Sequence, residues 1–388
     1  MRTHFPSTLP TPLVLIGFAT GLLLNATAQP ALKDAFKNEF RIGAALNESQ
    51  FSGSNRCEVA LTQTQFDTIS PENALKWESI HPAASRYDFK PADGYVEFGE
   101  SNHMFIVGHT LVWHNQTPKW VFEDKHSNAV DRDTLLRRMH DHIATVVGRY
   151  RGRINGWDVV NEALDEDGAL RQSPWLKIIG DDYVLKAYEF AHEADPQAEL
   201  YYNDYSLENT SKRQGAVALI RRLQARGVVI AGVGLQGHYK LDWPKKADLA
   251  ETIKTFSALG LKVMITELDV DVLPPATRSQ AAEVRMNFEL ESRLNPYTNG
   301  LPDSVQKALS ARYAELFGVF VNHRDSIARV TFWGVTDASS WLNNWPVKGR
   351  TSYPLLFDRQ CQPKPAFAAV IHTAHGTEIG EWTPPPSR

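Results

Sequence analysis

The stretch Gly260-Leu261-Lys262-Val263-Met264-Ile265-Thr266-Glu267-Leu268-Asp269-Val270 carries an unbroken apolar run, Val263-Met264-Ile265, shortly before a carboxylate. Alternating polarity would mark a strand with one wet face. A continuous run marks a strand buried on both faces, as in a parallel sheet. The same texture recurs along the chain. Strands are expected over Arg41–Leu46, Phe66–Ser70, Met104–Gly108, Gly156–Val160, Glu199–Asn203, Val229–Leu235, Lys262–Thr266 and Val330–Gly334.

Between them lie longer stretches with apolar residues at helical spacing. In Thr134–Arg149 these are Leu135, Leu136, Met139, Ile143, Val146 and Val147. Val184–Ala194, Lys212–Ala225, Ala247–Ser257, Val305–Val321 and Ala366–His372 read likewise. Strands alternating with helices in this number predict an α/β fold, a (β/α)8 TIM barrel forming a single domain. A doubly wound open sheet is the alternative, but it normally uses fewer strands. The segment Val272–Asp303, after the seventh strand, is long for such a connection and is expected to hold a helical stretch, Ser279–Leu294.

Composition bounds the rest. The 388 residues carry a net charge of −4, with 43% hydrophobic and 10% aromatic residues. That is no basic field for nucleic acid or an anionic membrane, so a largely neutral ligand is expected. Residues 1–28 read as a signal peptide. Leu13–Leu24 is an uncharged apolar run too short to span a bilayer, followed by the small-x-small site Ala26-Thr27-Ala28. A secreted or periplasmic location follows as an expectation. The barrel domain is placed at 29–376 and a Pro-rich tail at 377–388. Two cysteines, Cys57 and Cys361, are too few for a metal site. Cys57 begins the first helix and Cys361 precedes the last, and these helices are neighbours in a closed barrel. A disulfide is therefore expected, with two buried thiols as the alternative.

Function in such barrels collects at the C-terminal ends of the strands. The fourth strand ends Trp157-Asp158-Val159-Val160-Asn161-Glu162-Ala163, and the seventh delivers Glu267. Taken singly, each glutamate reads as a surface carboxylate. Strands four and seven are read as lying on opposite sides of the barrel, so the two face each other across its mouth. Facing carboxylates suit glycoside hydrolysis, and a separation of roughly 5–5.5 Å would give retention of configuration. A GxGxxG pattern, Gly232-Val233-Gly234-Leu235-Gln236-Gly237, is followed by no helix start. It therefore reads as close packing rather than a dinucleotide fingerprint.

Here the chain resembles a known family. Gly260–Val270 resembles the nucleophile segment of the family 10 glycoside hydrolases, the xylanases, and Trp157–Ala163 resembles their acid/base segment. Ser70-Pro71-Glu72-Asn73-Ala74-Leu75-Lys76-Trp77, Gly108-His109-Thr110-Leu111-Val112-Trp113-His114, Tyr202-Asn203-Asp204-Tyr205, Gly234-Leu235-Gln236-Gly237-His238 and Thr331-Phe332-Trp333-Gly334 resemble that family's other strand ends in order.

The resemblance implies a retaining endo-β-1,4-xylanase with Glu267 as nucleophile and Glu162 as acid/base. It implies His238 and Asp269 as supports of the nucleophile and Asp158 as a residue behind the acid/base. Glu72, Asn73, Lys76, His109, Trp113 and Gln116 are implied on the glycone side, with Asn161 and Gln236 near the reacting sugar. Trp333 and Trp341 would wall that sugar, leaving little room at its C5 and so favouring a pentose. The expected partners are xylan and xylo-oligosaccharides, acted on by a monomer with no metal and no cofactor. Alternatives are a β-1,4-glucanase on the same barrel and a non-catalytic polysaccharide-binding protein. A metal-dependent barrel hydrolase would want a His-x-His pair on the first strand, where Gly43-Ala44-Ala45 stands.

Overall fold

A computed structural model describes Met1, residues 30–276 and residues 287–374. Its strands are β1 (Arg41–Leu46), β2 (Thr68–Pro71), β3 (Phe105–Val112), β4 (Gly156–Asn161), β5 (Glu199–Asp204), β6 (Gly232–Leu235), β7 (His238–Lys240), β8 (Lys262–Asp271) and β9 (Ile327–Phe332). Neighbours from β1 to β6 pair in parallel. Then β6 pairs with β8, β8 with β9 and β9 with β1, which closes a barrel and excludes the open sheet. The short β7 is an extra strand added to β8 beyond the closed ring.

Helices Arg56–Gln65, Lys90–Ser101, Arg132–Arg149, Tyr183–Ala194, Thr210–Ala225, Lys246–Ser257, Asp303–Asn322 and Pro365–Ala374 fall between or after the barrel strands. Arg132–Arg149 forms because Leu135, Met139, Ile143, Val146 and Val147 recur at three and four residues and are all buried. It begins at Asp131, whose carboxylate accepts from the Thr134 N–H. Helix Lys90–Ser101 has no counterpart among the sequence expectations. Its glycines blur the apolar period, and Gly99 is there because an added Cβ would lie 2.6 Å from Ile106 on β3.

Strands β2, β4 and β5 overrun their expected ends by one residue, and two others overrun by more. β3 continues to Val112, which pairs with Val160, and β8 continues to Asp271 because β7 offers it a partner beyond the rim. The sixth strand starts at Gly232, and Val229, 68% exposed, lies outside it. The helix expected over Ser279–Leu294 is not found where it can be seen. Residues 279–286 lie outside the described residues, Phe288 makes a bridge to Val347, and only Ser292–Leu294 turn, as a 3-10 helix. Arg350 holds this region instead, donating to the carbonyls of Pro274 and Leu294. The expected signal segment, apart from Met1, and the tail also lie outside the described residues. Cys57, in helix Arg56–Gln65, is joined to Cys361, ahead of the last helix, across a sequence separation of 304.

Candidate active site

Strand register decides which polar side chains meet, since directly paired residues of parallel strands share a face. At the C-terminal end of the barrel, His109 pairs with Asp158, Asn161 with Asn203, and Asn203 with Gly234. Beyond the rim His238 pairs with Asp269. The glycine at 234 makes room: an added Cβ would stand 2.2 Å from Asn203 Oδ1. The close-packing reading of that glycine run holds, with Gly237 at φ +84°.

Glu267 sits inside β8 rather than after it, its N–H donating to the Gln236 carbonyl at 2.6 Å. Its carboxylate is 5% exposed as a residue and takes a bond from Asn203 Nδ2 (2.8 Å) at Oε1. At Oε2 it meets His238 Nε2 at 3.1 Å. The other ring nitrogen of His238 lies 3.2 Å from Asp269 Oδ2, which also accepts from Trp341 Nε1 at 2.7 Å. Burial opposes charge on His238, but the two carboxylates flanking it push its pKa up to about 10. It is therefore an imidazolium near neutrality. Burial alone would raise Glu267, but the His238 bond, the fields of His109 and His238, and the Asn203 bond hold it below the ordinary 4.5.

Glu162 follows β4 directly, in a left-handed conformation with φ +56°. Its carboxylate accepts from Trp113 Nε1 (2.8 Å) and Gln236 Nε2 (2.9 Å). Burial pushes it above 4.5, and the charge of Glu267 pushes the same way against those two bonds. One cleft thus holds two carboxyl groups with opposite protonation preferences, which is the pattern that assigns an acid and a base.

The two come, as expected from the sequence, from the fourth and seventh barrel strands and share one cleft, with β5 and β6 between β4 and β8 on the shorter way round. Those strands supply the bridge. Asn203 Nδ2 donates to both Glu267 Oε1 and Asn161 Oδ1 (2.9 Å), and Gln236 Nε2 reaches both Glu162 Oε1 and Asn161 Oδ1 (3.3 Å).

The remaining expected residues divide: Lys76, His109, Trp113, Trp333 and Trp341 line the cleft, whereas Glu72, Asn73, Gln116 and Asp158 are not among its lining residues, Asn73 being in contact with Lys76 and Asp158 with His109. Lys76 is buried, with Nζ 5.0 Å from the Trp113 ring centroid, 5.9 Å from that of Trp333 and 3.3 Å from Asn73 Oδ1. Burial lowers its pKa against the fields of Glu267, Glu72 and Glu162. His109 Nδ1 meets Asp158 Oδ2 at 2.9 Å. Gln116 Nε2 donates to Asn73 Oδ1, while half-buried Glu72 is raised by its burial against the opposing charge of Lys76. Trp333 edges onto His109, and Trp341 stacks on Trp345 at 4.6 Å. Lys76, His109, Trp113, Trp333 and Trp341 line one cleft that holds both glutamates. Cys57 and Cys361 are not among its lining residues. Among the described residues, no three His, Cys, Asp or Glu side chains form a metal-ligand cluster.

Sequence reasoning quoted Asn203 and Tyr205 within the stretch Tyr202–Tyr205 but gave them no role, although Asn203 stands at the end of a barrel strand, where the same rule that found Glu162 would have found it. It passed over Arg171 and Trp345, which sit in loops with no signal of spacing.

A family model described as Glycosyl hydrolase family 10 matches residues 31–373. The chain is 45% identical over 362 residues to endo-1,4-beta-xylanase A of Xylanibacter ruminicola, covering 92% of this chain and 98% of that protein. It is 40% identical to a beta-1,4-xylanase of Dictyoglomus thermophilum, covering 92% and 96%. Among solved structures, a GH10 endoxylanase retrieved from a sugarcane soil metagenome superposes with a TM-score of 0.84 at 43% identity, covering 89% of this chain and all (100%) of that one. Xylanase XynB from Paenibacillus barcinonensis gives 0.81 at 36% identity, with 89% and 99% covered.

Proposed function

The chain belongs to glycosyl hydrolase family 10 and is a retaining endo-β-1,4-xylanase, and we propose that Glu267 is its nucleophile and Glu162 its acid/base. One observation carries the assignment: the His238 and Asn203 bonds hold the pKa of Glu267 below the ordinary 4.5, while Glu162, linked to it through Gln236, Asn161 and Asn203, is pushed above it by burial and by the charge of Glu267. In the first step Glu162 gives its proton to the glycosidic oxygen as Glu267 attacks the anomeric carbon. The aglycone leaves and a glycosyl ester forms. Ester formation removes the charge of Glu267, so the pKa of Glu162 falls. Glu162 can then take a proton from the incoming water, and attack by that water restores Glu267.

Asn161, fixed by Asn203 and Gln236, is the group for the sugar 2-hydroxyl, a contact that strengthens at the transition state. Lys76, His109, Glu72, Asn73 and Gln116 bind the glycone side, and Trp333 and Trp341 crowd the sugar's C5. That crowding favours xylan over a glucan. The function is tested by incubating the protein with xylan and with carboxymethylcellulose and following fresh products by proton NMR. Reducing ends appear from xylan, first as the β-anomer. Cleavage confined to the cellulose derivative, or first release of the α-anomer, would overturn it.

His238→Asn removes the imidazolium that keeps Glu267 acidic. The acidic limb of kcat/KM reports the group that must be deprotonated, so it moves toward neutral pH, and kcat/KM falls roughly 10–100-fold, as for partners that orient a catalytic group. An unmoved acidic limb in a pH–rate series counts against His238 as the support.

The apolar run Leu13–Leu24 and the small residues at 26–28 support export with removal of residues 1–28. Amino-terminal sequencing of the protein recovered outside the cytoplasm is expected to begin at Gln29; an intact Met1 there argues against cleavage.

A further inference from the structure

Glu162 is the only titratable cleft residue held by the chain in the left-handed region among the described residues, and a glutamate does not take that conformation without outside support. The turn at 162 leaves its N–H on the ladder to β5 but carries its carbonyl off it, so the carbonyl needs a partner elsewhere. The N–H donates to the Asn203 carbonyl at 2.9 Å. The carbonyl accepts from Arg171 Nε at 3.1 Å.

The same guanidinium makes three further contacts. Its Nη2 donates to the Leu164 carbonyl and to the Tyr205 hydroxyl, both at 2.8 Å, and its Nη1 lies 3.0 Å from Asp165 Oδ1. The Arg171 N–H also closes the loop onto the Ala163 carbonyl at 2.8 Å, beside a bridge between Leu164 and Leu170. Tyr205 lines the cleft. A planar fork is the group suited to hold several oxygens in one plane at once, and a lysine cannot reproduce it.

We infer that Arg171 is the positioning residue of the acid/base. Its fork locks the left-handed backbone at 162 and ties it to Tyr205 on the cleft wall, which aims the Glu162 carboxyl at the glycosidic oxygen. Arg171 touches no reacting atom, and the inference rests on Glu162 being the acid/base.

If Arg171 aims the acid, its loss hurts only when protonation of the leaving group is needed. Arg171→Met is compared with wild type and Glu162→Ala on aryl β-xylobiosides, from a dinitrophenyl to a phenyl leaving group. The expected result is a loss of up to about 100-fold in kcat/KM on the phenyl substrate, the scale of a small misplacement. On the dinitrophenyl substrate the loss is no more than about 3-fold, because that group needs no proton. The same leaving-group dependence, larger, is expected for Glu162→Ala.

A uniform loss across leaving groups in Arg171→Met, or no loss, while Glu162→Ala shows the dependence, overturns the inference and leaves the acid/base assignment standing. If Glu162→Ala shows no dependence, the assignment fails and takes the inference with it. Arg171→Lys, which keeps the charge without the fork, is run in parallel. It carries the same comparison should Arg171→Met fail to fold.

Discussion

Glu267→Gln is expected to lower xylan turnover by about ten-thousand-fold or more, the scale seen when a nucleophile is deleted from a concerted catalytic set. The substitution keeps the volume of the side chain but removes the negative charge and the attacking oxygen pair. It also sets an amide against two donors already in place, Asn203 Nδ2 and the His238 imidazolium. The fold should survive, because the strand's own ladder and the 2.6 Å bond from the 267 N–H to the Gln236 carbonyl do not involve the side chain. No glycosyl-enzyme should be trapped by a slow fluorosugar substrate. With Glu267→Ala, azide can fill the vacated space and attack from the same face. The expected product is the α-xylosyl azide, inverted relative to the substrate. Turnover of Glu267→Gln close to wild type would falsify the nucleophile assignment.

For Glu162→Ala the expected loss is more selective. Xylan hydrolysis falls by roughly 10²–10⁴-fold, the usual contribution of a general acid/base. A dinitrophenyl xylobioside still forms the covalent intermediate, so a burst of dinitrophenolate precedes slow hydrolysis. Azide speeds the second step and gives the β-azide, the anomer opposite to that from Glu267→Ala. The alkaline limb of the pH profile also disappears. In wild type it marks deprotonation of Glu162, which burial and the neighbouring Glu267 place above 4.5. Equal losses on xylan and on the activated substrate, with no burst, would remove Glu162 from this role.

The barrel was legible in the sequence because parallel strands buried on both faces must be apolar throughout, and Val263-Met264-Ile265 has no other comfortable setting. The two glutamates were legible because each closely follows such a run. What a linear reading could not supply was register. That Asn203 stands opposite both Asn161 and Gly234, and that β7 exists to bring His238 opposite Asp269, are properties of neighbouring strands and not of either strand alone. The link between the two glutamates was hidden for the same reason, since it is made by Asn203 on β5 and Gln236 at the end of β6. Helix Lys90–Ser101 escaped because Gly94 and Gly99 stand where larger apolar residues would have shown the period. The helix expected after Ser279 was inferred from periodicity in a segment that hydrogen bonds from Arg350 hold from outside.

The bond between Cys57 and Cys361 makes nearly the whole barrel a covalent ring, since the two lie 304 residues apart in sequence. A protease that nicks any exposed loop within that ring yields two fragments still joined as one molecule. A denaturing gel run without reductant would therefore register intact mass where cleavage has already happened. Old preparations of this protein are best judged with thiol in the sample buffer.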